Sequence, residues 1–213
     1  MQKIIFTFSL SLFFGVFTLQ GQSAFEMGLQ QGLGELSLAH SPEAYDRAAV
    51  RFEQLAQKNP QCWLPVYYAI LAKSSGAYLL DSDKAIAVAE QLEVEIERLF
   101  ALNPDRSEAL TLKGMVETIK VAAEPLQYGM TLSPEIIRNY QEAIAGNPEN
   151  PRALYLLGQF EMKSARYYGK DPRQSCGKLT KAKQLFSKQV DKDLRPSWGE
   201  EKVDQLIKTK CAK

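Results

Sequence analysis

Three cysteines, Cys62, Cys176 and Cys211, and one histidine, His40, are the side chains of this 213-residue sequence that most readily do chemistry. A single histidine supplies neither a zinc ligand set nor a nucleophile–base pair, because both need several donors converging on one point. His40 stands beside Ser41-Pro42 and reads as the ordinary C-terminal residue of a helix, where positive charge is favoured. Cys176 has no histidine at motif distance, and the chain contains no glycine-rich phosphate loop and no nucleophile elbow. Glu90, Glu93, Glu95 and Glu97 form an acidic cluster in which Glu93 and Glu97 share one helical face. That spacing would allow paired-carboxylate acid catalysis, but the plainer reading is a solvated helix face. No catalytic residue, metal or cofactor is expected, and the protein reads as non-enzymatic.

The cysteines acquire meaning from the first residues. Lys3 precedes an uncharged apolar run from Ile4 to about Leu19, followed by the small residues Gly21, Ser23 and Ala24. A basic start, a run shorter than the ~20 residues of a membrane span and a small-residue end describe a secretory signal peptide. Residues 1–22 are assigned to it, with cleavage between about Gly21 and Phe25; an uncleaved anchor is the rival reading. The remaining chain, 23–213, has the size of one domain. It is expected to be exported, periplasmic or secreted, and soluble, with no stable membrane insertion. In an oxidising compartment disulfides persist. Cys176 and Cys211 both lie in the C-terminal quarter and are expected to pair, tying the tail to the last helices; Cys62, next to Trp63, is expected to be a buried thiol.

Charge is balanced overall and unevenly spread. From Gln22 to Met162 there are 11 basic and 19 acidic residues, a net of −8; from Lys163 onward there are 14 and 6, a net of +8. A basic end can draw acidic partners or anionic surfaces, or can simply be a solvated pair of helices. Export argues against nucleic acid.

The elements that position these residues announce themselves by repetition. Asn-Pro recurs at Asn59, Asn103 and Asn147, each 44 residues apart, and each closes a helical stretch. Phe52, Ile96 and Tyr140 sit seven residues before each asparagine. In the same register, Ala109-Leu110-Thr111-Leu112-Lys113-Gly114 and Ala153-Leu154-Tyr155-Leu156-Leu157-Gly158 share an Ala-Leu-x-Leu-x-Gly pattern. Proline cannot continue the helix it follows, and glycine late in a helix is tolerable where a neighbouring helix must come close.

These marks resemble the tetratricopeptide repeat, as found in small exported bacterial proteins. Ala109, Leu110 and Gly114, with Ala153, Leu154, Leu157 and Gly158, match its first helix; Ala48, Phe52 and Pro60, with Tyr140, Ala143 and Pro148, match its second. The unit here is 44 residues, longer than the usual ~34. The resemblance implies an all-α, right-handed α-solenoid of antiparallel helix pairs, in about four units: 24–60, 61–104, 105–148 and 149–192, with a capping helix at 197–210. Helices are expected at Ala24–Ala39, Pro42–Lys58, Cys62–Tyr78, Ser82–Leu102, Arg106–Ala123, Pro134–Ala145, Arg152–Tyr167, Gly177–Val190 and Trp198–Lys210. Ser41, Ser133 and Ser197 are read as N-caps. Two long connections, 124–133 and 168–176, are either structural insertions or binding loops.

Such repeats usually bind a protein or peptide on a concave face lined by the first helix of each pair. In this register the face consists of Tyr67, Leu71, Glu108, Thr111, Met115, Arg152, Tyr155, Gln159 and Met162. The resemblance therefore implies an exported scaffold or adaptor. The alternative is a small-molecule carrier or helical enzyme using the two long loops and their tyrosines, Tyr128, Tyr167 and Tyr168.

Overall fold

Punctuation and apolar spacing divide the chain into helices. The computed structural model describes residues 12–189 and 194–211, with side chains from Ala24 onward apart from Arg166. The expected signal peptide, 1–22, lies outside the described side chains, and residues 1–11 lie outside the described backbone. The elements are α1 (Leu12–Ser37), α2 (Pro42–Lys58), α3 (Trp63–Ala77), α4 (Ser82–Ala101), α5 (Arg106–Ala123), α6 (Pro125–Gly146), α7 (Pro151–Tyr167), a 3₁₀ turn (Pro172–Ser175), α8 (Cys176–Phe186), α9 (Glu200–Leu206) and a terminal π-helical turn (Ile207–Cys211). All the regular structure among the described residues is helical, and no helix there is long and apolar enough to cross a membrane.

Helix α2 shows how sequence becomes structure. Ser41 holds an extended backbone and its hydroxyl accepts from the Ala44 amide, while Pro42 occupies the first turn, where no amide is needed. Ala48, Ala49, Phe52 and Ala56 recur at helical spacing and are buried. The same dipeptide then ends three helices by three means. The Asn59 side-chain amide donates to the Leu55 carbonyl at 2.9 Å, Asn103 enters the left-handed region at φ 51°, and the Asn147 side-chain oxygen accepts from the Glu149 amide at 3.1 Å. Asparagine suits all three, since it bonds to nearby backbone and tolerates positive φ.

Each helix packs on the next in chain order, and α3, α5 and α7 also touch one another as an inner row. The repeated glycines sit where helices come closest. A Cβ on Gly114 would stand 2.7 Å from the Tyr140 ring, and one on Gly158 would stand 3.1 Å from Leu179. Tyr140, Phe52 and Ile96 are all fully buried, so the residue seven before each Asn-Pro is a core residue.

Several expectations are corrected. The supposed loop 124–133 is the first part of α6, with Pro125 in its first turn; Pro134 lies inside that helix, so Ser133 is not a cap. Thr131 and Ser133 donate their hydroxyls back to the Tyr128 and Gly129 carbonyls in the turn before the proline. The capping residue of α9 is Gly199 at φ 112°, not Ser197. A side chain at Gly199 would be strained and would meet the Phe186 ring at 3.0 Å. The connection 168–176 keeps its expected bounds, since α7 ends at Tyr167 and α8 begins at Cys176, with the 3₁₀ segment between them. Cys62 is half-buried at the start of α3 and free, rather than a core thiol.

Candidate functional site

The residues expected to line an open concave face are not open. Tyr67, Leu71, Glu108, Thr111, Met115, Arg152, Tyr155 and Met162 are buried, and only Gln159 is partly exposed. The physical reason is the chain's own tail. Residues 194–199 return to the inner row, and residues 200–211 pack on α8. The Tyr68 hydroxyl donates to the Leu194 carbonyl at 2.8 Å, and the Trp198 indole donates to the Tyr67 hydroxyl at 3.0 Å. A disulfide joins Cys211 to Cys176 at the start of α8, and Lys183 pairs with Asp204 at 2.6 Å. Within the strap, Pro196 and Val203 are buried.

Under the strap lies a buried polar chain. The Tyr67 hydroxyl donates to Glu108 at 2.9 Å, and Arg152 grips both Glu108 oxygens at 2.7–3.0 Å and donates to Gln189 at 3.0 Å. A buried ion pair survives only with such geometry, because each ion has left water. Burial drives the Tyr67 hydroxyl well above its usual pKa, so it stays a donor. Burial would pull Arg152 down, but the Glu108 charge and its hydrogen bonds raise it. Beside them, Asn150 donates to Ser107 at 2.9 Å, and Thr111 donates to the Ser107 carbonyl at 2.7 Å. Met115 presents its carbonyl to Tyr78 at 2.9 Å. Burial pushes Tyr155 up to about 12. These are contacts within the chain, so the polar groups at these positions are already partnered.

The strap leaves a cleft on each side. One, of about 810 Å³, lies at the Asn-Pro end between Trp63, Arg152, Lys188 and Arg195; its charged lining includes Asp105 and Glu149, so opposite charges face each other. The other, of about 520 Å³, lies between α1–α3 and the strap. Both fall within the ~300–1,000 Å³ of small-molecule sites. The second has the composition of one. Leu33 and Leu36 of α1, Leu71 of α3 and Trp198 of the strap supply apolar and aromatic wall. His40, Tyr45 and Lys202 supply an imidazole, a phenol and a cation at the edge. The His40 ring and the Tyr45 hydroxyl make no hydrogen bond among the described residues, so both are available.

Of the sequence candidates, Leu71 is the one that the structure places in this cleft. His40, Tyr45 and Trp198 were not expected there. Tyr128 is partly exposed on α6, and Tyr167 and Tyr168 stand edge to face at 5.5 Å in the open, outside the cleft.

No family model matches the chain, and no curated protein matches it. A solved structure does: the HusA haemophore from Porphyromonas gingivalis superposes with a TM-score of 0.75 at 22% identity, over 87% of this chain and 90% of that one. At that identity the likeness is one of fold.

Proposed function

We propose that this protein is an exported, non-enzymatic carrier of a flat, largely apolar, carboxylate-bearing ligand of the tetrapyrrole class. The ligand sits in the cleft between α1–α3 and the C-terminal strap. The observation that carries this reading is the strap itself. It lies against Tyr67 and Tyr68 of the inner row, and leaves beside it an apolar cleft of about 520 Å³ with an aromatic wall and unpaired donors. The structural neighbour is a haemophore, which points the same way. A tetratricopeptide-like solenoid is then the scaffold of a container rather than of an adaptor. Leu36, Leu71 and Trp198 would take the ring faces, Lys202 would take a carboxylate, and His40 or Tyr45 would approach a central metal.

The test is a titration of the leader-free chain with haemin and, separately, with metal-free protoporphyrin, followed by visible absorption and tryptophan fluorescence. Binding of both ligands is expected, with Leu36→Asp and Trp198→Ala each weakening it at least tenfold. His40→Ala should alter the haemin spectrum and leave protoporphyrin affinity unchanged. If neither ligand perturbs the protein, or both variants bind as the parent does, the carrier reading is wrong.

A further inference from the structure

Alternating antiparallel helices bring the α1–α2, α3–α4, α5–α6 and α7–α8 connections to one end of the molecule. Cross-links at that end bear this out: Ser82, opening α4, donates to the carbonyl of Ala123, which closes α5. The exposed large hydrophobic residues concentrate there. Leu38 and Leu79 occupy two of the turns, and Tyr167 and Tyr168 close α7. Leu126 and Met130, one helical turn apart at the start of α6, are each 84% exposed. Single exposed apolar residues need no explanation, but a set gathered on one end does.

The α6–α8 edge of this end is also basic. Lys163, four residues before Tyr167, and Lys170, just after Tyr168, are exposed and make no ion pair among the described residues. Of the nearby acids, Asp171 is held by Arg173 at 3.0 Å, and Glu124 adjoins the α6 start. Apolar tips, paired tyrosines and lysines are the ingredients of an interfacial anchor: apolar side chains enter the headgroup boundary, tyrosines sit at its level, and lysines meet anionic lipid. Lysine enrichment argues against a protein partner, since protein interfaces are depleted of it.

We propose that this end of the protein docks on an anionic lipid surface, with Leu126, Met130, Tyr167 and Tyr168 inserted and Lys163 and Lys170 facing the headgroups. The docking is independent of whether the cleft carries a ligand.

The probe is a set of vesicles of equimolar phosphatidylcholine and phosphatidylglycerol, compared with phosphatidylcholine alone. Co-sedimentation is measured on the ligand-free chain without its apolar leader, which would bind lipid itself. The expected result is partitioning onto the anionic vesicles that falls with added salt and is weak on the neutral ones. Each lysine near the surface multiplies partitioning about fivefold, so Lys163→Glu with Lys170→Glu should reduce it by more than about twentyfold. Leu126→Asp with Met130→Asp should reduce it at least tenfold while leaving the circular dichroism unchanged, since both side chains are exposed. Absence of vesicle binding, or undiminished binding by the Asp pair, overturns the proposal. So does a concentration-dependent dimer that the Asp pair abolishes, which would assign the patch to a second copy of the chain.

Discussion

Cutting the Cys176–Cys211 bond tests whether the strap is structural. The two cysteines are 35 residues apart, and a loop of that size gives about 4 kcal/mol of stabilisation in the chain-entropy relation. The other ties at the same end are weaker. The Lys183–Asp204 pair is half-exposed and contributes under about 1 kcal/mol. The Trp198–Tyr67 and Tyr68–Leu194 hydrogen bonds, nearer the start of the strap, contribute about 1 kcal/mol each. The prediction is that Cys176→Ser with Cys211→Ser lowers unfolding stability in urea by about 2–4 kcal/mol, the lower figure applying if the tail frays before the helices melt. Hydrogen exchange should show residues 200–211 opening first, with Tyr67 and Trp198 protected longer. Cys62 is left unchanged in both proteins. Superimposable urea curves, together with unchanged exchange in the tail, would refute the idea that the disulfide holds the strap in place.

Two other perturbations probe the scaffold. Burial raises Glu117 to about 7, opposed by Lys113 at 3.8 Å and the Asn139 amide at 2.8 Å and aided by the Glu135 charge. Its folded pKa exceeds its unfolded one, so the native state binds the extra proton between about pH 4.5 and 7, and stability falls as pH rises through that window, by up to about 3 kcal/mol. Glu117→Gln should flatten that slope in urea unfolding measured from pH 5 to about 8, and an unaltered slope would count against it. Gly114→Ala would gain about 1 kcal/mol of helix propensity and lose about 1–3 kcal/mol by driving a methyl into Tyr140. A lower melting temperature is therefore expected, and a higher one would mean that the tyrosine ring has room to move.

Local marks in the sequence carried much of the helical pattern. The Asn-Pro period found the ends of α2, α4 and α6, because proline acts on the residues beside it. Ser41-Pro42 found the start of α2, because a cap needs only its own side chain and the next three residues. Loop 124–133 was misread for the complementary reason. Pro125, Gly129 and Pro134 each oppose a helix individually, yet the first lies where no amide is required, Gly129 is buried, and the helix continues through the third. The cleft was beyond local reading. Its wall brings His40, Tyr45 and Leu71 against Trp198, and the bonds that seat the strap join residues 126 and 131 apart. The repeat register places Tyr67, Glu108 and Arg152 on one face, but nothing near those residues tells that they bond to one another and that Trp198 bonds to Tyr67.

The strap also sets a schedule. A chain threaded from its N-terminus presents α1–α3 first, while Trp198 follows Tyr67 by 131 residues. Until those residues arrive, the cleft lacks one side and can retain nothing. If the chain is exported as proposed, it would cross the membrane with the cleft unformed, and the cleft would be completed only when the last helices fold and Cys211 reaches Cys176. On the proposed carrier reading, the sequence separation between the two walls would keep the cleft from closing on a ligand before the chain is complete.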